Sequence, residues 1–170
     1  MEKVITEIDS DGIARVTLNN PSKHNAFDDQ IITQLTEAFS AVGANSNVRV
    51  MVLASEGKSF SAGADLDWMK RMASYSYDEN LQDARALALM LQTLKSIPQP
   101  TIARIQGAVF GGAVGLVSCC DIAVAATDAT FSLSEVKIGL VPATISPYVI
   151  DAIGARAARR YFMTAEHFSA

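Results

Sequence analysis

The chain has 170 residues, of which 49% are hydrophobic and 19% are charged, and its formal net charge is −4. This length fits one domain, predicted to span residues 1–170, and the apolar content supports a sizeable core rather than a disordered chain. No basic stretch is longer than a dipeptide, which argues against nucleic acid as a partner.

The N-terminus and the cysteines bear on the cellular compartment. No cationic segment followed by an apolar one opens the chain, and the longest apolar stretch, residues 107–120, is too short to span a bilayer. Cys119 and Cys120 are adjacent, and adjacent cysteines rarely pair because the disulfide geometry is strained. Buried thiols suit a reducing compartment, so we expect a cytoplasmic protein with no membrane partner.

The first third of the chain predicts a hairpin, a helix and a buried strand. Residues 4–8 and 13–18 are β-rich and flank a polar turn, which indicates a hairpin. Apolar residues at steps of three and four over 31–42 predict a helix that Gly43 ends. The nearly continuous apolar run over 48–54 predicts a strand buried on both faces.

The rest of the chain continues this alternation of helices and strands. Residues 78–97 predict the most regular helix, and its apolar face contains Leu81, Ala84, Leu87, Ala88, Leu91 and Leu94. Further strands are predicted over 101–106, 121–126 and 131–133, and one helix over 150–162. Alternating strands and helices indicate an α/β layer fold with right-handed crossovers.

A first small-residue turn follows the buried strand. Residues 60–66 (FSAGADL) place Gly63 between two alanines, so that a ligand can approach the backbone closely. Asp65 can cap a helix that begins after it. An ordinary strand-to-helix connection explains this segment equally well when it is considered alone.

A second turn, residues 106–115, contains four glycines and leads into an apolar helix. Glycine weakens a helix by roughly 1 kcal/mol per residue relative to alanine, so this density needs a reason. Backbone N–H groups at a helix N-terminus, with no side chains in the way, can bind an anion or an oxyanion. Close helix packing is the alternative reason for small residues here. The segment has neither the Walker pattern nor the dinucleotide-binding spacing.

Glu135 is the third candidate group. It stands between a short predicted strand and a loop rich in glycine and proline, and it is the only acidic residue between Asp128 and Asp151. A lone carboxyl in apolar surroundings should have a raised pKa, which suits general acid/base catalysis. A salt bridge to Lys137, or simple solvation, is the alternative.

Together with the loop 19–26 (NNPSKHNA), these three segments resemble the crotonase (enoyl-CoA hydratase/isomerase) superfamily over nearly the whole chain. The resemblance implies an α/β fold with a crotonase-like ββα spiral core. It also implies an oxyanion hole formed by the N–H groups of Ala64 and Gly112, which would hold the thioester oxygen of an acyl-CoA. Glu135 matches one of the glutamates with which hydratases of the family act on water.

The resemblance also implies where coenzyme A would bind. Its moiety would contact Lys23, His24, Ala26, Ala62, Asp65 and Leu66. Trp68 and Met69 would lie in the acyl pocket or, equally, in the core. Coenzyme A enters only as the thioester of the substrate; no prosthetic group is implied, and two distant histidines do not predict a metal site.

One position departs from the two-glutamate hydratases, since Gly115 stands where their second glutamate would be. A single glutamate also suits double-bond isomerisation. The segments 110–121 and 133–140 resemble bacterial hydratases of leucine and acyclic-terpene breakdown, which act on methylglutaconyl-CoA or carboxygeranoyl-CoA, and that branch shares the glycine. Hydration is therefore the leading expectation, isomerisation the first alternative, and a non-catalytic acyl-CoA-binding or scaffold protein the second.

The resemblance finally implies an assembly. Chains of this superfamily continue into C-terminal helices that build a trimer, and those helices are missing from the 170 residues. We therefore expect a chain truncated at its C-terminus, and a homotrimer or hexamer when the full chain is present.

Overall fold

The computed structural model describes residues 2–170. Its strands are β1 (Val4–Ile8), β2 (Ile13–Leu18), β3 (Val50–Ser55), β4 (Thr101–Ile105), β5 (Ala108–Phe110), β6 (Ile122–Ala125), β7 (Thr130–Ser132) and β8 (Phe168–Ser169). Its α-helices are α1 (Asp29–Ala44), α2 (Leu66–Met72), α3 (Tyr77–Lys95), α4 (Gly112–Cys119), α5 (Ser146–Ile153) and α6 (Ala155–Thr164). Two 3₁₀ turns, Pro21–Lys23 and Glu135–Ile138, complete the elements.

Two sheets organise the molecule. The larger has the strand order β1-β2-β3-β4-β6, with an antiparallel β1–β2 hairpin and parallel pairs beyond it. The smaller has the order β5-β7-β8, with β5 and β7 parallel. The predicted hairpin and the predicted α/β alternation are therefore confirmed.

The core lies between the larger sheet and the helices α1, α3 and α4. Its fully buried side chains come from the sheet and from the inner helix faces, and the largest include Phe39, Phe60, Met51, Leu53 and Leu91. Burying side chains of this size supplies the main favourable free energy of folding. The first glycine-containing turn follows β3 after the short loop 56–59, and the second follows β4 directly.

Three sequence predictions differ from the structure in their details. Helix α1 continues through Gly43 to Ala44, since a glycine in a last turn is tolerated when the helix packs on its neighbours. The buried face of α3 contains Met90, Leu91 and Leu94. This buried face packs against α1 and α4. Ala88, which the prediction placed on the apolar face, lies outside the packed region and is exposed.

The single helix predicted over 150–162 is wrong. It is two helices, α5 and α6, that meet at Gly154. Gly154 has a φ of +81° and ψ of 150°, a conformation outside the helical region that only glycine adopts readily. The apolar pattern runs across this residue without a break, so periodicity alone conceals the change in direction.

Candidate active site

A cavity of about 240 Å³ opens where the two glycine-containing turns meet the 3₁₀ turn at Glu135. Its lining comes from the first turn, from α2 and α3, from the start of α4, and from the loop that leads to α5. Ala64, Gly112 and Glu135 all line it. The structure thus brings together the three groups that the sequence placed in one site.

The first turn presents the N–H of Ala64 to this cavity. On one side, the N–H of Phe27 donates to the carbonyl oxygen of Gly63 at 2.7 Å, and on the other the N–H of Asp65 donates to the carbonyl oxygen of Phe27 at 2.7 Å. This pairing clamps the backbone on both sides of Ala64. Within residues 2–170 the Ala64 N–H itself donates to no other atom.

The second turn presents the N–H of Gly112 in the same way. Gly111 donates its N–H to the carbonyl oxygen of Ser132 at 2.9 Å, and Val114 donates to the carbonyl oxygen of Gly111 at 2.9 Å. Gly112 begins α4, where backbone N–H groups have no partner inside the helix, and its N–H finds none elsewhere in the described chain. Two fixed donors of this kind can stabilise a carbonyl oxygen that gains negative charge.

The two turns pack directly on one another, and glycine makes this possible. Gly63 has a φ of +92°, and a Cβ at this position would lie 3.0 Å from the carbonyl oxygen of Phe110. Gly111 has a φ of +55°, and a Cβ there would lie 3.3 Å from Oε1 of Glu135 and 4.0 Å from Cα of Gly63. At Gly63 and Gly111 the close approach of the two turns and of Glu135 requires glycine. At Gly115, by contrast, the packing of α4 against Ile145 requires it, as the packing alternative expected.

Glu135 has the environment expected of a general acid/base. Its Oε2 is buried and has no hydrogen-bond partner in residues 2–170. Burial in apolar surroundings raises the pKa of the Glu135 carboxyl above its ordinary value. No ion pair to Lys137 forms among the described side chains, so the salt-bridge interpretation is wrong.

Asp65 fixes the start of α2 beside Ala64. Its Oδ1 accepts hydrogen bonds from the N–H groups of Asp67 (2.9 Å) and Trp68 (3.0 Å), which confirms the predicted cap. Its Oδ2 accepts from Nζ of Lys23 at 2.8 Å. The Lys23 ammonium, more than the two backbone donors, holds the pKa of the Asp65 carboxyl below its ordinary value.

The residues expected to follow coenzyme A cluster along the first turn. The N–H of Ala62 donates to the carbonyl oxygen of His24 at 2.9 Å, and Nδ1 of His24 lies 3.2 Å from Oγ of Ser59. Ala26 is buried, while Leu66 is exposed at the rim. The loop 19–26 and the first turn therefore form one continuous surface that leads to the Ala64 N–H, and contact with coenzyme A stays a prediction.

Several cavity residues were not predicted from the sequence. Phe27, Asp83 and Ile145 line the cavity and were not predicted. Trp68 and Met69 also line it, which agrees with their interpretation as acyl-pocket residues. Nε1 of Trp68 donates to Oδ2 of Asp83 at 3.2 Å, which places a second carboxyl group, besides that of Glu135, in a largely apolar lining. Asp83 stands outside the apolar period of α3, and no motif marks it.

Residues 2–170 contain no group of three or more His, Cys, Asp or Glu side chains that could hold a metal ion. None of the helices described is long and apolar enough to cross a membrane. Burial raises the pKa of Cys119 to about 12 and that of Cys120 to about 12, so both thiols stay protonated at neutral pH.

Comparison with known proteins identifies the family. The model of the enoyl-CoA hydratase/isomerase family matches residues 9–170. The chain belongs to this family. A crotonase-like α/β fold is thereby confirmed.

Solved structures of the family superpose closely. A crystal structure from Legionella pneumophila, assigned to the enoyl-CoA hydratase/isomerases (crotonases), is 50% identical with a TM-score of 0.96, over 99% of this chain and 64% of that one. An enoyl-CoA hydratase from Shewanella pealeana is 46% identical with a TM-score of 0.97, over 99% of this chain and 63% of that one.

An enoyl-CoA hydratase of Alternaria alternata is 36% identical over 154 residues, which are 91% of this chain and 50% of the relative. The chain thus spans about half to two thirds of the length of these relatives.

Proposed function

We propose that the intact protein adds water to an α,β-unsaturated acyl-CoA thioester. One observation carries the proposal: a buried carboxyl oxygen of Glu135 without a partner faces the same cavity as the unpaired N–H groups of Ala64 and Gly112. Family membership supports the substrate class, since two of the relatives named above are called enoyl-CoA hydratases and the third an enoyl-CoA hydratase/isomerase.

The arrangement accounts for each step of the addition. The thioester oxygen accepts hydrogen bonds from Ala64 and Gly112, which polarises the conjugated double bond. Ionised Glu135 takes a proton from water while the water oxygen bonds to the β-carbon, and the thioester becomes enolate-like. The two N–H donors stabilise the negative charge on that oxygen. Protonated Glu135 then delivers its proton to the α-carbon, which restores the carboxylate and completes a 3-hydroxyacyl-CoA.

Binding of the coenzyme A moiety is assigned to the surface of Lys23, His24, Ala26, Ala62, Asp65 and Leu66. The ion pair between Lys23 and Asp65 holds the loop 19–26 against the first turn, so this surface has a fixed shape before substrate arrives. Lys23 is half exposed, which leaves part of its ammonium available to a phosphate group.

The acyl group enters the apolar part of the cavity. The branch resemblance favours methylglutaconyl-CoA or carboxygeranoyl-CoA. Both carry a carboxylate on the acyl chain, and the lining given by residues 2–170 includes no Lys or Arg. A cation that pairs with this carboxylate would have to come from residues other than this lining. Measuring which acyl groups the protein accepts therefore tests the resemblance to that branch directly.

Double-bond isomerisation is the second candidate, and it is favoured because Glu135 is the one glutamate in the cavity lining that residues 2–170 provide. One base can move a proton from the α-carbon to the γ-carbon of a 3-enoyl-CoA without adding water. Both reactions use the same two N–H donors, so they differ only in where the proton goes and whether water enters.

A substrate panel on the intact protein separates these candidates. Crotonyl-CoA, methylglutaconyl-CoA and a 3-enoyl-CoA are incubated in heavy-oxygen water, and mass spectrometry scores oxygen incorporation against bond migration. We expect incorporation, and about 10²- to 10⁴-fold loss in Glu135→Gln. Glu37→Gln, an exposed glutamate on α1, is the matched control. Bond migration without heavy oxygen would make the protein an isomerase, and no turnover of any substrate would reject both candidates.

Assembly as a trimer or hexamer is proposed with the hydratase function. Edge strand β6 exposes Ile122 and Val124, with relative accessibilities of 51% and 57%, an apolar surface that association would cover. Light scattering on the intact protein measures the assembly. Location in the cytoplasm stays a prediction.

A further inference from the structure

The space beside Gly115 is already filled by another residue. A Cβ at Gly115 would lie 2.4 Å from Cγ2 of Ile145 and 2.8 Å from its Cβ, distances at which something must shift. Ile145 is 2% exposed, so its side chain is enclosed on all sides. Rotation about χ1 moves Cγ2 but leaves Cβ in place, so no rotamer of Ile145 relieves the 2.8 Å conflict.

Ile145 also belongs to the wall that carries Glu135. It ends the segment that runs from the 3₁₀ turn at Glu135 to α5, and both residues line the same cavity. The N–H of Val149 donates to the carbonyl oxygen of Ile145 at 3.1 Å, and Ser146 donates to that of Pro142 at 3.0 Å. The side chain is thus fixed between helix α4 on one side and the start of α5 on the other.

We propose that Ile145 is a positioning residue: it fills the space that a side chain at position 115 would take and holds Glu135 against the reacting carbons with no acid/base group from α4 beside it. The proposal rests on the proposed role of Glu135. It also assigns a cause to the glycine at 115: the helix must lack a side chain there because the loop supplies an apolar one.

The apolar contact has an electrostatic consequence for Glu135. Ile145 excludes water from one side of the cavity, and exclusion of water is what raises the pKa of the Glu135 carboxyl. No described charged group forms an ion pair or hydrogen bond with this carboxyl. Of the titratable side chains on the elements around Glu135 in residues 2–170, Asp83 of α3 is the one that lines the same cavity, and its carboxylate accepts from Nε1 of Trp68.

Truncation of Ile145 tests the role of its side chain. Ile145→Ala and Ile145→Val are compared with Ile31→Ala in the intact protein, because Ile31 is equally buried in α1 and does not line the cavity. We expect Ile145→Ala to lower kcat about tenfold with a smaller change in KM, and to move the acidic limb of the kcat–pH profile to lower pH. Ile145→Val should lie between parent and Ile145→Ala.

A second pair of variants tests the occupied volume. Gly115→Ala alone should lower the denaturant midpoint and activity. Combining it with Ile145→Ala removes the 2.4 Å conflict with Cγ2 but keeps the 2.8 Å conflict with Cβ, so the double variant should recover only part of both losses. This recovery is expected only if the two residues compete for one space.

The outcomes separate the two proposals. An unshifted acidic limb in Ile145→Ala, with a stability loss like that of Ile31→Ala, would make Ile145 merely structural and overturn the inference. Full stability and activity of Gly115→Ala would do the same. Unchanged activity of Glu135→Gln would instead reject the proposed function and leave the steric relation of residues 115 and 145 in place.

Discussion

The two walls of the cavity are built in different ways. The glycine wall, residues 60–66 and 106–112, presents backbone N–H groups and is held by buried contacts between its own turns. The acidic wall, residues 135–145, presents side chains, and its Leu140 and Val141 are 52% and 80% exposed. Under the proposed function, the glycine wall polarises the thioester, whereas the acidic wall determines which proton moves and which acyl group fits. The proposal thus assigns carbonyl chemistry to one wall and reaction specificity to the other.

The largest effect expected in the glycine wall comes from removing one of its donors. Gly112 is the first residue of α4, where proline fits the helix but lacks an N–H. Gly112→Pro should lower kcat about 10²- to 10³-fold, since loss of one oxyanion donor costs on the order of 3 kcal/mol. Steady-state kinetics on the intact protein measures it.

Gly112→Ala is the control for this donor. It keeps the N–H and adds a Cβ that would lie 3.3 Å from the Phe27 ring, so it reproduces the crowding alone. Equal losses in the two variants would show that crowding against Phe27, and not the missing donor, lowers the rate.

A pair of glycine substitutions compares the two walls directly. Gly63 and Gly139 both have positive φ, +92° and +73°, so alanine meets backbone strain at either position. A Cβ at Gly63 would also meet the carbonyl oxygen of Phe110 at 3.0 Å, whereas nothing lies within 4 Å of one at Gly139. Gly63→Ala should cost about 2–4 kcal/mol of unfolding free energy and Gly139→Ala about 1 kcal/mol.

Urea unfolding of both variants measures this difference. Similar losses at the two positions would contradict the view that the glycine wall is the tightly packed one.

Removing the helix cap at Asp65 should have a smaller effect on stability. Asp65→Ala removes the cap of α2 and the partner of Lys23, and about 1–2 kcal/mol of stability should be lost. Asp65→Asn keeps a capping oxygen and should lose less. Because the pKa of Asp65 is lowered by folding, its contribution is present above its unfolded pKa and disappears as the pH falls through the lower folded pKa.

Denaturant titrations of Asp65→Ala from neutral to acidic pH measure this contribution. A difference between parent and variant that persists unchanged into strong acid would contradict the ion-pair account.

The sequence predicts the glycine wall better than the acidic one. Four glycines in a helix start are a local anomaly, and a cap at Asp65 is a local pattern, so both could be recognised without coordinates. Ile145 could not, because an isoleucine in a loop is unremarkable until Gly115 is placed against it. Asp83 lies on the same face of α3 as Leu87 and Met90, four and seven residues further on, but no sequence pattern shows that this part of the face meets the cavity.

The smallest expected effect concerns the acidic wall, where function and stability oppose one another. The raised pKa of Glu135 means that folding disfavours its charged form, so folded stability is highest below the unfolded pKa and falls as pH rises through the folded pKa. Glu135→Gln should therefore be slightly more stable than the parent at pH 7, and this gain should disappear in acid. Urea midpoints across this pH range measure it. A less stable Glu135→Gln at pH 7 would mean that the folded protein stabilises the charged carboxylate of Glu135. The acidic wall would then be held by favourable contacts, as the glycine wall is.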